Sequence, residues 1–501
     1  MFRGSIVNAK LCATVVGEST EELRARRDAV DGADMVELRL DYAKKIDVAG
    51  VLADRRLPVV VTCRPKWEGG VFSGSEEERR LLLTQAFDLG AEYVDVEWRA
   101  RFKDLIEAEG GRRIVLSLHD FDGCPTGLHD QFRVIRSVGA EVTKIAVATD
   151  CLTDLVKLRD VSKRYADDGR QIVIGMGATG VTSRVLPDLF HSVWTYAGDG
   201  VAPGQLSLGE MCNEYRIRSL GRDSELFGVL GKPLRHSLSP AMHNAGFKAI
   251  QHDAVYLPFE AVDFEDFENF ANEFDVVGAS VTAPYKRAAL AKSAKVDELS
   301  RRVGAANTLM MKDGEWHARN TDVPGFLEPL HGRMELEDCR ATVLGAGGAA
   351  RGVVTALADE GAKVTVCARV VERARSVAEL CGGAASEIPP VTGTWDLLVN
   401  TTPVGTYPEN DKSPVDPHDI KGKLVYDLVY NPLVTRLLAD ARAVGCLTIG
   451  GLAMLVSQAE RQFQWWTGQS APPDSFRRAA EARLDSMSRA DRLDEVQTEK
   501  R

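Results

Sequence analysis

Eight short apolar, β-rich runs recur through residues 1–220 of this 501-residue chain, with helix-like stretches between them. The runs are Leu11–Val16, Met35–Leu40, Val59–Cys63, Tyr93–Glu97, Ile114–Leu118, Val142–Val147, Ile172–Gly175 and Val193–Tyr196. The helical stretches include Thr20–Val30, Glu76–Leu89, Gln131–Val138 and Thr153–Tyr165. Strands that alternate with helices predict an α/β fold. Eight such units predict a (β/α)8 barrel, the TIM-barrel architecture, somewhat shorter than most. An open doubly wound sheet is the other arrangement that the alternation allows.

In such a barrel the chemistry sits at the C-terminal ends of the strands, and the unusual polar residues fall there. Glu37 and Arg39 lie on the second run, Arg64 follows the third, and His119 follows the fifth. Lys144 sits inside the sixth, Arg184 comes after the seventh, and Gln205 lies in the loop after the eighth. Lys144 is the most informative of these. A lysine in a buried parallel strand is costly unless paired or neutral, and a desolvated neutral amine attacks a ketone to form a Schiff base. A lysine that snorkels from the barrel mouth, or pairs with a carboxylate, satisfies the same pattern. His119 offers proton transfer near neutral pH, with Glu68 to orient it; a structural histidine is the plainer alternative. Several arginines at one mouth predict a small anionic substrate, since each takes a carboxylate in a forked pair.

Six motifs here occur in a recognisable order. They are Glu37-Leu38-Arg39-Leu40-Asp41, Thr62-Cys63-Arg64 with Glu68-Gly69-Gly70, Ser117-Leu118-His119-Asp120-Phe121, Lys144-Ile145-Ala146, Ser183-Arg184 and Ala202-Pro203-Gly204-Gln205. Together, over about Leu11 to Leu220, they resemble type I 3-dehydroquinate dehydratase. The resemblance implies that Lys144 forms an imine with the substrate ketone. His119 would remove the neighbouring proton and help the hydroxyl leave as water. Glu37, Arg39, Arg64 and Arg184 would hold substrate carboxylate and hydroxyls, and Gln205 would lie on a covering loop. Val201 stands where many members carry serine, so the resemblance implies one lid hydrogen bond fewer.

A polar stretch, Ser219–Glu225, breaks both periodicities and predicts a linker, assigned to 221–225 after a first domain of 1–220. Beyond it, Thr342–Leu344 is a short strand that stops at Gly345-Ala346-Gly347-Gly348-Ala349-Ala350, and a helical pattern follows. Such a turn lets backbone approach a pyrophosphate at a helix N-terminus. The next strand, Lys363–Cys367, ends in Ala368-Arg369, with Arg373 and Arg375 close behind, rather than in the acidic residue that grips a ribose hydroxyl. A guanidinium suits a 2′-phosphate, which predicts NADP(H); a solvated arginine at a helix start is the bland alternative. Ser239 before Pro240 reads as a helix N-cap, though two hydroxyls at a helix start also suit a carboxylate. Lys286 and Asp322 fit either a proton-shuttling pair or a surface salt bridge.

Ser237-Leu238-Ser239-Pro240, Gly278–Lys286, Gly304–Thr308, Asn320-Thr321-Asp322, the glycine turn, Tyr430-Asn431-Pro432 and Gly451–Gln458 resemble shikimate dehydrogenase, from about Leu226 to Arg483. The resemblance implies a catalytic pair of Lys286 and Asp322, and substrate contacts from Ser237, Ser239, Thr282, Asn307, Tyr430 and Gln458. It implies cofactor contacts from Gly345 to Ala349, Arg369, Arg373 and Gly451. Ala368-Arg369-Val370 departs from the usual Asn-Arg-Thr, which implies a softened NADP preference. The domains expected are a substrate domain, 226–334, completed by a helix at 452–483, and a Rossmann domain, 335–451. A charged tail, 484–501, is expected to fray.

The two resemblances share an intermediate. Together they imply one chain that dehydrates 3-dehydroquinate and then reduces 3-dehydroshikimate to shikimate. A sensor of quinate or dehydroquinate, or a quinate-preferring second half, competes with that reading. The net charge of −11 and the lack of a dense basic run argue against nucleic acid, leaving small-molecule substrates as the expected partners. No apolar run is long enough to span a membrane, and residues 1–10 lack a signal-peptide core. Nine scattered cysteines without a C-x-x-C pair predict reduced cytoplasmic thiols, and nine histidines without ligand spacing predict no metal.

Overall fold

The computed structural model describes residues 9–498 except 109, 199, 389 and 392, with side chains described up to residue 489. The first eight strands are β1 (Lys10–Val16), β2 (Met35–Arg39), β3 (Val59–Thr62), β4 (Tyr93–Glu97), β5 (Ile114–Asp120), β6 (Val142–Ala148), β7 (Arg170–Met176) and β8 (Trp194–Ala197). They form one parallel sheet in the order β7-β6-β5-β4-β3-β2-β1-β8. β8 returns to β1 with Trp194 opposite Lys10, and a parallel bridge between Gln171 and Ser192 nearly closes the barrel.

Side chains alternate along each strand, so every second residue points inward. Cys12, Met35, Val60, Val115, Val142, Ile172 and Trp194 belong to one buried cluster that plugs the barrel interior. Two residues further along the same strands come Thr14, Glu37, Thr62, Ser117 and Lys144, with Asp95 at the matching place on β4. Two residues beyond those come Arg39, Arg64, Glu97 and His119. A dry floor therefore carries a polar chamber on its C-terminal side, where barrel chemistry is found.

Contacts divide the chain into two compact units. The first runs to Leu226 and includes Lys232–Arg235 and Asp253–Val276. Asp253–Val276 falls within the expected substrate domain, and its strand Ala254–Phe259 joins a sheet with Glu225–Leu230 and Val276–Val281. In the structure the helix Phe264–Glu273 packs on the helix Leu152–Arg164 of the barrel. Asp266 accepts hydrogen bonds from the Leu152 and Thr153 N–H groups at 3.0 and 2.8 Å, satisfying donors that a helix start leaves free. Glu273 pairs with Arg159 and Lys163, and the Phe274 ring lies 5.7 Å from that of Phe190. Tertiary capping of this kind has no local periodicity to announce it.

The next sheet contains β9 (Glu225–Leu230), β10 (Ala254–Phe259), β11 (Val276–Val281), β12 (Lys295–Val296), β13 (Thr308–Lys312) and β14 (Glu315–Arg319), in the order β10-β9-β11-β13-β14-β12. The last contains β15 (Arg340–Leu344), β16 (Lys363–Cys367), β17 (Ala384–Ser386), β18 (Leu397–Asn400), β19 (Leu424–Asp427) and β20 (Leu447–Gly450). Its parallel order, β17-β16-β15-β18-β19-β20, is doubly wound, and the strand order reverses beside β15, where the glycine turn begins.

Two local expectations are corrected. Ser239 is the first residue of its helix, not the cap; Leu238 takes the cap position in a helical conformation. Ser237 Oγ instead accepts a long hydrogen bond from the Ser239 N–H at 3.3 Å. The C-terminal region holds two helices, Gly451–Thr467 and Ser475–Thr498, where one was expected over 452–483, and the second continues into the charged tail; 499–501 lie outside the described residues. Phe476 and Ala480 are buried and anchor the second helix at its start, after which each further residue adds a hydrogen bond at little cost.

Candidate active sites

The chamber above the barrel floor is a pocket open to solvent. Glu37, Arg39, Arg64, Glu68, His119, Lys144, Arg184 and Gln205 all line it. β6 holds Lys144 with only 4% of its surface exposed. Its Nζ donates to Asp95 Oδ2 at 3.0 Å and lies 4.3 Å from the centre of the Tyr196 ring. The lysine is therefore both strand-buried and carboxylate-paired, which joins two readings that the sequence kept apart.

Asp95 is the near end of a chain of alternating charge. Arg64 Nη2 meets Asp95 Oδ1 at 3.0 Å, Arg64 Nη1 meets Glu97 Oε1 at 2.7 Å, and Glu97 Oε2 meets the fully buried Arg79. Burial works against the Asp95 charge, but Arg64 and Lys144 hold its carboxyl well below the usual range. Burial likewise opposes the Arg64 charge, and Asp95 and Glu97 overcome it. Arg39 is forked onto Asp41 at 2.9 and 2.8 Å. Glu37 accepts from Thr14 and Thr62, both at 2.9 Å.

Arg184 differs. It is 2% exposed, its only described hydrogen bond runs to the Pro203 carbonyl at 3.1 Å, and its Nε is unpartnered. Burial, with no carboxylate to offset it, pushes the guanidinium down to about 10. Of the three arginines in the chamber, Arg184 is thus the one held without a counter-charge.

His119 stays neutral. Burial pushes its imidazole well below the ordinary value, and the cations Arg64 and Lys144 push further the same way. Its Nδ1 lies 3.2 Å from Glu68 Oε1, which also accepts the His119 backbone N–H at 2.8 Å. Burial raises Glu68 to about 7, although Arg64 pulls the other way, and its second oxygen is unpartnered.

The covering loop is seated without a serine at position 201. The Gly177 N–H donates to the Pro203 carbonyl at 3.2 Å, and Gln205 Nε2 donates to Thr14 Oγ1 at 3.1 Å. Gly204 has φ +69°, and a Cβ there would lie 2.2 Å from the Gly177 carbonyl, so only glycine fits.

In the second unit, Lys286 Nζ lies 2.7 Å from Asp322 Oδ2, with side chains 26% and 19% exposed. Asn320 Oδ1 accepts the Asp322 and Val323 N–H groups at 3.0 and 3.2 Å, fixing the start of the helix that carries Asp322. Asn307 Nδ2 donates to Asp322 Oδ1 at 2.8 Å and to Gln458 Oε1 at 3.3 Å. Lys286 and Asp322 share a narrow cleft with Gly348, Ala349 and Met454. The pair therefore faces the glycine turn rather than open surface.

The turn fits a dinucleotide. Gly345 has φ +107°, and a Cβ there would lie 2.6 Å from Thr401 Oγ1, while Gly347 and Gly348 have open space around them. The helix Gly348–Asp359 has no side-chain cap, so its first N–H groups are free for an anion. Arg369 and Arg373 are exposed beyond β16, as a group meeting a 2′-phosphate from solvent must be.

Comparison with known proteins covers both halves. Residues 11–222 match the family model for type I 3-dehydroquinase, and 229–309 match the shikimate dehydrogenase substrate binding domain. Residues 330–401 match shikimate / quinate 5-dehydrogenase, and 451–481 match the shikimate 5′-dehydrogenase C-terminal domain. The bifunctional 3-dehydroquinate dehydratase/shikimate dehydrogenase of Arabidopsis thaliana is 31% identical across 93% of this chain and 83% of its own. The chain belongs to this bifunctional family. A shikimate dehydrogenase (NADP(+)) of Methanocella arvoryzae is 40% identical over 51% of this chain and 97% of its own. A crystal structure of shikimate dehydrogenase in complex with NADP+ is 32% identical, covers 53% of this chain and 97% of that one, and has a TM-score of 0.50.

Within this bifunctional dehydratase/dehydrogenase, sequence reasoning gave no role to Asp41, Asp95, Glu97 or Arg79. Tyr93-Val94-Asp95-Val96-Glu97 alternates with period two, and that pattern alone would have pointed both acids inward. Ser237, Ser239, Thr282 and Tyr430 do not line the cleft of Lys286 and Asp322. Gly451 opens the helix Gly451–Thr467, where a Cβ would lie 2.2 Å from the Leu428 carbonyl; close packing alone accounts for that glycine. Among the described residues there is no metal-ligand cluster and no helix long and apolar enough to cross a membrane.

Proposed function

We propose that the barrel dehydrates 3-dehydroquinate to 3-dehydroshikimate and that the second half reduces this product to shikimate. What carries the reading is a strand-buried lysine beside an uncompensated arginine in one chamber, and a Lys286–Asp322 pair facing a glycine turn in the other unit. In the barrel, Arg184 takes the substrate carboxylate. Lys144 passes a proton to neutral His119 and attacks the ketone as the free amine; the proton returns to the carbinolamine oxygen, which leaves as water to give an iminium that withdraws electrons from the adjacent carbon. Neutral His119 removes the proton from that carbon and returns a proton to the departing hydroxyl. Hydrolysis of the imine then frees the lysine. Arg39 and Arg64 act mainly by holding Asp41, Asp95 and Glu97 in place, because most of their described hydrogen bonds end on these carboxylates.

In the second half, the residues from Gly345 to Ala349 would hold the NADP(H) pyrophosphate, and Arg369 its 2′-phosphate. NADPH supplies the hydride when bound. Lys286 and Asp322 pass a proton to the developing alkoxide, with Asn307 and Gln458 holding Asp322 in register. Ser237, Ser239, Thr282 and Tyr430 would complete the substrate pocket. All nine cysteines are free, which favours a reducing compartment; we assign the enzyme to the cytoplasm, although the Arabidopsis relative is named chloroplastic.

The test is to mix protein with 3-dehydroquinate and NADPH and follow both NADPH and the enone of 3-dehydroshikimate. Consumption of NADPH with formation of shikimate is expected. Enone without NADPH loss would reject the second assignment, and dehydroquinate binding with no signal would indicate a sensor instead.

The barrel's pH dependence follows from Glu68. Burial pushes its carboxyl up to about 7, and the carboxylate is a stronger acceptor than the acid for the His119 Nδ1–H, which leaves Nε2 bare as the base and makes it more basic. The dehydration rate should therefore rise as pH passes through about 7 and fall below it. Glu68→Gln should remove that limb and leave a lower, flatter profile. A limb persisting near 7 in the variant would assign it to another group.

A further inference from the structure

Gln462 lies one turn beyond Gln458, is 1% exposed, and does not line the cleft of Lys286 and Asp322. Its amide is nonetheless fully engaged. Oε1 accepts from Ser280 Oγ on β11 at 2.6 Å, and Nε2 donates to the Asn307 carbonyl at 3.3 Å and to Thr308 Oγ1 at 3.2 Å. It also reaches the His243 imidazole on the helix Ser239–Ala249, an interaction that partly offsets the burial pushing that imidazole down to about 3. One side chain thus joins four elements.

Each of those elements presents a residue assigned above to substrate. Ser239 starts the helix of His243, Thr282 follows β11, Asn307 precedes β13, and Gln458 shares the helix of Gln462. An apolar side chain here would hold the elements together by burial but would not set their register. A buried amide with all its partners fixed sets direction as well. We propose that Gln462 is a positioning residue for shikimate, setting the spacing of the four elements whose side chains read the substrate hydroxyls and carboxylate. This rests on the assignment of the second site to shikimate.

The experiment uses the full chain with Gln462→Met and, separately, Ser280→Ala, in NADP+ reduction by shikimate. Loose placement of binding groups is costly, since about 1 Å can change rates on the order of 10²-fold. Gln462→Met should raise KM for shikimate by about tenfold or more, with KM for NADP+ within about twofold. The barrel's dehydration rate should not change. Ser280→Ala, which removes one partner, should raise the shikimate KM by about two- to fivefold and carries the test alone if Gln462→Met fails to fold. A fall in Tm or in active fraction with an unchanged shikimate KM in the folded variant overturns the proposal. Failure of the wild type to oxidise shikimate would reject the underlying assignment before any variant is compared.

Discussion

Lys144→Met should abolish dehydration of 3-dehydroquinate, by about 10⁴-fold or more, while the same protein still reduces added 3-dehydroshikimate with NADPH. Borohydride should trap a covalent adduct on wild-type Lys144 and none on the variant. The substitution removes one partner of a buried ion pair, a change that typically costs about 3–5 kcal/mol. Here Asp95 keeps Arg64 at 3.0 Å and Ser117 Oγ at 2.6 Å, so the carboxylate is not left bare and the fold should survive. Intact reduction by the variant is the internal check. Residual dehydration within about tenfold of wild type, without an adduct, would mean that the elimination does not pass through this amine.

The second large effect is expected in the other half. Lys286→Met and Asp322→Asn should each lower kcat for shikimate oxidation by about 10³-fold, and the double variant should lose little more, because a proton-shuttling pair acts as a unit. The pair is partly exposed, so removing it should change stability by no more than about 1 kcal/mol. Barrel activity should be untouched. If the two losses instead multiplied in the double variant, the residues would be doing separate work.

Much of the fold was legible because it is written in local pattern. The barrel strands are continuous apolar runs between helices, and their observed ends differ from the expected ones by at most two residues or so. The glycine turn declared itself because φ +107° at Gly345 demands glycine. What escaped is long-range. Asp95 sits inside a strand, so a search for polar residues at strand ends passes over it, while Glu97 ends that strand as a lone acid with no motif around it. Arg79 was hidden in an ordinary amphipathic helix, yet it is fully buried against Glu97. Asp266 looked like one more acid in its own helix, and its hydrogen bonds to Leu152 and Thr153 span more than a hundred residues of sequence. Ser239 was misplaced by one position because the Ser-Pro pair is as compatible with the first helical turn as with the cap.

The alternating chain in the barrel has a consequence for ligand selection. Arg39, Arg64 and Lys144 each meet a carboxylate, from Asp41, Asp95 or Glu97, whereas Arg184 meets only the Pro203 carbonyl. The resting site thus holds one cation without a local counter-charge, Arg184. It is a place for a single anionic group. A singly charged hydroxy acid would pair Arg184 on entry, whereas the second charge of a dianion of similar shape would meet the resident carboxylates or have to carry a proton in with it.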